Sequence, residues 1–319
     1  MPTVVVTFAP GEEERKVLRD IFGGIAELVI LSDLDANGRA RALENADVLF
    51  VWNPPRELQP DEIRLLRKVR LVQLLSAGAD HVKLNLPSSV TLASNAGAYA
   101  EPIAEHVVAM ILALFKNLSD RHEKMKAGVF DQSNQNRMLQ GSSCAILGFG
   151  GIGKATAQLL RCFGVRIYAV NTSGRSREPV DFVGTLKDLE HVLRVADIVV
   201  ISLPLTQATR GLIGERELGW MKDDAVLINV ARGDIIDEAA LYRKLGSKPS
   251  FKVGIDVWWV EPFREGEFRI NYKFLKLPNV LASPHNSGFV PGIFVTATSR
   301  AAENIRRFLR GEPIVGVVR

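Results

Sequence analysis

Cys144-Ala145-Ile146-Leu147 runs directly into Gly148-Phe149-Gly150-Gly151-Ile152-Gly153, a short apolar β-type run followed by a glycine turn. The residues from Gly151 to Phe163 read as a helix, and this strand, turn, helix context gives a GxGxxG pattern its meaning. In such a turn Gly148 permits the sharp bend, Gly150 lets the main chain approach a diphosphate, and Gly153 allows the helix to pack closely on the strand. The start of the helix then offers free N–H groups and its positive dipole end to an anion. Phe149, Gly151 and Ile152 complete the turn and are counted with the three glycines as dinucleotide contacts. A tight glycine turn with no ligand is the plainer alternative.

Outward from this turn the chain alternates short β-branched runs with helical stretches, the signature of βαβ units and parallel sheets. Strands are expected near Arg166–Val170, Asp197–Leu203, Ala225–Val230, Lys252–Val257 and Val280–Ser283. An earlier series starts at Val4–Phe8 and continues through Leu28–Leu31, Asp47–Trp52, Leu71–Ser76 and Val90–Ser94, with a helix expected near Pro60–Val69. A long amphipathic helix opens at Glu101-Pro102 and reads as the bridge between the two series. A final helix near Pro291–Leu309 is assigned to the first series. The expected fold is α/β with two doubly wound parallel-sheet domains. A Rossmann dinucleotide-binding domain (99–286) is inserted into a flavodoxin-like substrate domain (1–98 plus 287–319).

Composition narrows the function classes. Of 319 residues 47% are hydrophobic and 24% charged, which is ordinary globular usage and not that of a disordered or repetitive chain. Forty basic against 36 acidic residues leave +4 with no block of like charge, so neither nucleic acid nor a membrane surface is an expected partner. The longest apolar stretch, Ile103–Phe115, is interrupted by Glu105 and His106, and no signal sequence is apparent. Cys144 and Cys162 are too few for a disulfide framework and lack metal-type spacing. A reducing, cytoplasmic setting without a metal site is expected.

The end of the second strand, the one that follows the turn and its helix, normally carries an acid that holds the ribose 2′-OH of NAD. This chain has Asn171 there, followed by Thr172-Ser173-Gly174-Arg175-Ser176-Arg177. Hydroxyls and guanidinium groups suit a 2′-phosphate that a carboxylate would repel. NADP(H) is therefore the favoured cofactor and NAD(H) the alternative, with Glu178 folding back to serve it.

Three polar segments follow strands of the second series: Asn229-Val230-Ala231-Arg232-Gly233-Asp234, Gly254-Ile255-Asp256-Val257-Trp258-Trp259-Val260-Glu261-Pro262, and Ser283-Pro284-His285-Asn286-Ser287-Gly288. With the glycine turn, Leu75-Ser76-Ala77-Gly78-Ala79-Asp80-His81 and Leu203-Pro204-Leu205-Thr206, they make the chain resemble the D-isomer-specific 2-hydroxyacid dehydrogenases, including glyoxylate and hydroxypyruvate reductases, over nearly its whole length. The resemblance implies that Arg232 binds the substrate carboxylate and 2-oxo oxygen, Glu261 partners the histidine, and His285 is the acid/base. It also implies that Pro204, Ala231 and Asp256 meet the dinucleotide. Main-chain N–H groups of Ala77, Gly78 and Ala79 would receive the substrate carboxylate, with Asn53 nearby. The chemistry agrees, since reduction of a 2-oxo acid needs a proton for the developing alkoxide, and histidine alone titrates near neutrality without extreme perturbation. An acidic neighbour orients the ring, and a planar guanidinium can bind two oxygens.

Each of these residues has a plainer reading: Arg232 as a surface side chain, Glu261 as a turn residue, His285 as a loop histidine, and Asp256 as a cap on its own turn. His106, His122 and His191 read as structural or solvated. The Trp258-Trp259 pair is bulkier than the family's usual residues and bears on substrate size. A regulatory domain of the kind long phosphoglycerate dehydrogenases carry is not expected, nor is feedback by serine. The resemblance implies a homodimer acting on a small 2-oxo or 2-hydroxy acid. Oxidation of phosphite or formate on the same scaffold, or a nucleotide-sensing, co-repressor-like binding role, are the alternatives.

Overall fold

Residues 1–82, 84, 87–133 and 135–318 are described by a computed structural model of the chain. The chain divides into two compact units, Met1–Tyr99 with Val290–Arg319, and Ala100–Phe289.

The first unit runs β1 (Thr3–Val6), α1 (Glu12–Phe22), β2 (Glu27–Ile30), α2 (Ala36–Asn45), β3 (Val48–Val51), α3 (Pro54–Glu57), β4 (Leu71–Leu74) and β5 (Thr91–Ala93). These strands form one parallel sheet in the order β2-β1-β3-β4-β5. β1, β3 and β4 are buried at every position, as expected of parallel strands covered on both faces. Side chains alternate between the faces: Val4, Val6, Val48 and Phe50 pack with Leu18 and Phe22 of α1, whereas Val5, Leu49 and Val51 pack with Leu43 of α2. Where the sequence predicts a helix over 60–69, the structure has a single 3-10 turn, Glu62–Leu65, and the short helix α3 lies ahead of it. Pro54 and Pro55 start α3 early, and Pro60 prevents its continuation.

The second unit begins with α4 (Ala100–Phe115) and α5 (Leu118–Lys126), followed by β6 (Ser143–Leu147), α6 (Gly151–Cys162), β7 (Arg166–Val170), β8 (Phe182–Gly184), α7 (Leu189–Val195) and β9 (Ile198–Ile201). It continues with α8 (Glu215–Trp220), β10 (Val226–Asn229), α9 (Glu238–Ser247), β11 (Lys252–Ile255), α10 (Pro262–Glu265) and β12 (Val280–Ala282). The seven parallel strands are ordered β12-β11-β10-β9-β6-β7-β8. The progression reverses between β6 and β9, and the carboxyl ends of strands at such a reversal are where open α/β sheets collect ligands. β8 is an edge strand that the sequence reading did not contain.

The last helix, α11 (Ile293–Leu309), belongs to the first unit and buries Ala297, Ala301, Ala302 and Ile305 in the same cluster as Val4 and Val6. Its buried Asn304 donates from Nδ2 to Gln73 Oε1 on β4 at 2.7 Å, so two core amides satisfy each other. Among the described residues no single helix is long and apolar enough to cross a membrane.

Candidate active site

The glycine turn leaves β6 and opens α6. Gly148 has φ +100°, and a Cβ there would lie 2.7 Å from the main chain of Ser202 and Leu203 at the end of β9. A Cβ on Gly153 would collide with the Gly148 carbonyl oxygen and sit 3.0 Å from Ile146 Cγ2, so the helix is seated as close to its strand as a glycine allows. Gly150 differs, since a Cβ there meets nothing within 4 Å. As N-cap of α6, Gly150 supplies no side-chain bond to the first N–H groups of the helix. Two glycines thus close the turn, and the third opens space in front of unshielded donors, which fits a diphosphate. Gly151 is exposed and Ile152 partly so, whereas Phe149 is turned into the core.

Asn171 follows β7, and its side chain is spent on the loop itself. Oδ1 accepts from the N–H groups of Ser173 and Gly174 at 3.0 and 2.7 Å, and Nδ2 donates to the Arg175 carbonyl at 2.8 Å. The amide therefore shapes the loop and leaves Thr172, Ser173, Arg175 and Arg177 exposed on it. Glu178 forms an ion pair with Lys154 of α6 at 3.8 Å. Pro204, beyond β9, is exposed, and its carbonyl accepts from Thr209 Oγ1 at 2.7 Å.

The three polar segments meet at the carboxyl ends of β10, β11 and β12. Asn229 closes the first of them: Oδ1 accepts from the N–H of buried Ala231 at 3.1 Å, and Nδ2 donates to the Arg232 carbonyl at 3.0 Å. Arg232 is partly buried, with Nη1 2.7 Å from the Ala231 carbonyl. Next to it, a Cβ on Gly233 would lie 2.5 Å from the Trp258 carbonyl carbon, so the Arg232 turn abuts the turn leading to Glu261. Glu261 is 2% exposed; its Oε1 accepts from the Trp258 N–H at 2.8 Å and lies 2.9 Å from His285 Nδ1. Glu261 Oε2 is buried without a hydrogen-bond partner among the described residues. The Phe263 ring stands edge-on to the imidazole at 5.1 Å.

Asp256, at the end of β11, is fully buried, and its carboxylate accepts from Ser283 Oγ and from the N–H groups of Asn286 and Ser287. Burial pushes its pKa up, but the bonds from Ser283 and Ser287 and the nearby imidazoles of His285 and His106 outweigh this and hold it below the ordinary aspartate value. Its oxygens therefore brace the turn that carries His285. Trp258 and Trp259 are structural, with indole N–H groups donating to the carbonyls of Ser283 and Ile236 at 3.0 and 2.8 Å. Sequence reasoning set His106 aside, yet its Nε2 lies 3.0 Å from Ser283 Oγ.

In the first unit, Asn53 precedes α3 and gives its N–H to the Glu57 carboxylate. Ala77, Gly78 and Ala79 are partly buried in a loop after β4 that is tied at Ser76, whose hydroxyl donates to the Gly78 carbonyl at 2.8 Å. Buried Asn95 and the Tyr99 hydroxyl both donate to the Leu75 carbonyl at 3.1 Å and fix the loop's origin.

Residues 108–287 match the sequence profile of the D-isomer specific 2-hydroxyacid dehydrogenase, NAD binding domain. A hydroxypyruvate reductase from Thermotoga maritima is 28% identical over 264 residues, 81% of this chain and 84% of the relative. A D-isomer specific 2-hydroxyacid dehydrogenase from Xanthobacter autotrophicus Py2, solved with NADPH and MES, superposes with a TM-score of 0.80 at 26% identity over 100% of this chain and 98% of that one. D-lactate dehydrogenase from Aquifex aeolicus, solved with NAD and lactic acid, gives a TM-score of 0.75 at 25% identity, covering 97% and 96% of the two chains.

Proposed function

The chain belongs to the D-isomer-specific 2-hydroxyacid dehydrogenases, and from that premise we propose that it reduces a small 2-oxo acid of the glyoxylate or hydroxypyruvate type to the D-2-hydroxy acid. One observation carries the reading: a partly exposed imidazole, His285, whose Nδ1 is held 2.9 Å from a buried carboxylate, Glu261. Glu261 accepts the Nδ1 proton and fixes the ring plane, so Nε2 is the nitrogen that gives a proton to the substrate oxygen. Arg232 binds the carboxylate and polarises the adjacent carbonyl with its charge. The reduced nicotinamide, when bound, supplies the hydride that C2 receives. Gly148, Gly150, Gly151 and the first N–H groups of α6 would hold its diphosphate and Pro204 and Ala231 would line the rest of its site, whereas Asp256 is fully buried beneath the turn that carries His285.

NADPH is the proposed cofactor, because Thr172, Ser173, Arg175 and Arg177 are exposed on a loop that presents no carboxylate of its own at the end of β7. The double change Arg175→Ala with Arg177→Ala should lower kcat/KM for NADPH about tenfold or more, each charged bond being worth about 1.5–3 kcal/mol, and leave NADH unaffected. A marked preference of the unaltered protein for NADH would reverse the assignment. The chain is also proposed to act as a homodimer, which the exposed apolar residues Leu118, Met125, Val129, Phe130 and Met138 support. Sedimentation equilibrium giving a monomer would refute it.

The central test is a steady-state screen of glyoxylate, hydroxypyruvate, pyruvate and phenylpyruvate against both reduced nicotinamides. Turnover of glyoxylate or hydroxypyruvate, with a D-configured product where C2 becomes chiral, is expected; oxidation of neither cofactor by any of the four would overturn the proposal.

A further inference from the structure

His285 adopts φ +54°, one of two non-glycine residues with positive φ among those described. A side chain in this left-handed region costs on the order of 1 kcal/mol and persists only where neighbours impose it. The neighbour here is Asp256. Ser283 Oγ donates to Oδ1 at 2.5 Å, the Asn286 N–H to Oδ1 at 3.1 Å and the Ser287 N–H to Oδ2 at 3.2 Å, so one buried carboxylate grips the chain on both sides of His285.

A second histidine reaches this grip from α4. His106 Nε2 lies 3.0 Å from Ser283 Oγ and 3.9 Å from Asp256 Oδ1. A serine hydroxyl has one proton, and Ser283 gives it to Asp256. Toward His106 the same oxygen is an acceptor, so Nε2 carries the hydrogen and the ring is either the Nε2–H tautomer or the cation. Donation therefore runs one way, from His106 to Ser283 to Asp256. The net lowering of the Asp256 pKa agrees with a carboxylate ringed by donors.

We propose that His106 is a positioning residue of the reaction: its Nε2–H fixes the Ser283 hydroxyl as donor to Asp256, and the carboxylate so held clamps the left-handed turn that presents His285. The proposal rests on the acid/base reading of His285 and adds a residue that never touches the substrate. Without the Nε2 donor the Ser283 hydroxyl turns away, the clamp loses one of its three bonds, and the turn samples other φ values. Orientation of the proton donor matters in the transition state and not in substrate binding, so kcat suffers while KM does not.

The test uses the full chain in five forms: unaltered, His106→Phe, His106→Gln, Ser283→Ala and the double variant His106→Phe with Ser283→Ala. Hydrogen exchange of the Asn286 and Ser287 amides, followed by NMR without substrate, reads the clamp directly. Loss of a bond that protects them should speed both about tenfold in His106→Phe and in Ser283→Ala. His106→Gln, whose side-chain amide can donate from a similar reach, should restore near-native rates. Amides of β9 and β10 should be unchanged throughout, which separates a local effect from general destabilisation. In turnover, His106→Phe should lower kcat about tenfold with KM within about twofold, and adding Ser283→Ala should cost nothing more, because the two act in one chain. Unchanged exchange at 286 and 287 in His106→Phe overturns the proposal, as does a Gln variant that exchanges as fast as the Phe variant. Should His106→Phe disturb the whole unit, Ser283→Ala and His106→Gln decide the matter alone. If the unaltered protein reduces no 2-oxo acid, the functional reading fails while the exchange result still decides whether the clamp exists.

Discussion

His285 and Glu261 touch each other, yet their removal has different consequences. The His285 side chain is 30% exposed and is hydrogen-bonded to Glu261, so His285→Ala should leave the thermal midpoint nearly unchanged while turnover falls about 10²-fold or more, the usual scale for a lost acid/base group. Glu261 also accepts from the buried Trp258 N–H. Glu261→Ala orphans that donor and should cost about 1–3 kcal/mol of stability as well as activity, measured by urea unfolding alongside steady-state rates. Equal stability losses in both variants would contradict this division of labour. Arg232, Glu261 and His285 stand out as candidates in the sequence because each sits a few positions beyond an expected strand in a distinctive segment, and the structure gathers these segments at one end of a sheet. His106 was not recognisable. Its partner lies 177 positions away, and nothing on the amphipathic face of α4 marks one histidine as spoken for. Trp258 and Trp259, whose bulk bears on substrate size, both spend their indole N–H groups on carbonyls of their own unit, which no local pattern in the sequence signals.

At the scale of the element, the strand, turn and helix around Gly148–Gly153 separate packing from ligand binding within six residues. Gly153→Ala drives a methyl into the Gly148 carbonyl and should lower stability by about 1–3 kcal/mol, the cost of overpacking a closed contact. Gly150→Ala meets open space at φ −87°, a conformation alanine adopts freely, so its thermal midpoint should match that of the unaltered protein. It should nevertheless weaken dinucleotide binding, because the methyl occupies the approach to the helix N–H groups; calorimetric titration with NADPH measures this. Unweakened binding would mean that the diphosphate does not lie over Gly150. The turn could be read from sequence because glycine spacing is local. β8 could not, since Phe182–Gly184 is three residues long, follows Pro179 and gains its identity only by pairing with β7. The helix expected near 60–69 is reduced to the single 3-10 turn Glu62–Leu65, although Pro60 at its start is compatible with a helix.

Across the whole molecule, the alternation of strand and helix sufficed for two parallel sheets, because strands covered on both faces must be continuously apolar and their connections must be long. What alternation cannot supply is the set of buried and partly buried charges that each unit accepts, and these set the acid limit of the fold. In the second unit burial pushes the Asp197 carboxyl up, but Lys222 at 2.8 Å and two bonds from Ser143 more than compensate, and its pKa is lowered; Asp256 behaves likewise. In the first unit the Arg39 guanidinium, bonded to both oxygens of Glu62, lowers that carboxyl despite its partial burial. In each case the folded pKa lies below the unfolded value of roughly 3.9 for aspartate or 4.3 for glutamate. Between the two values the unfolded chain binds more protons than the native one, so stability rises with pH there. The contribution is complete above the unfolded pKa and disappears as pH falls through the folded one. Urea unfolding from pH 7 downward should therefore show a plateau to about pH 5 and a progressive decline below about pH 4. Asp197→Asn should flatten part of that decline, because an amide keeps an acceptor for Ser143 but has no proton to gain. An acid limb identical in the variant would mean that the Lys222 pair contributes nothing to it, and that other carboxylates, Asp256 and Glu62 first among them, set the limit.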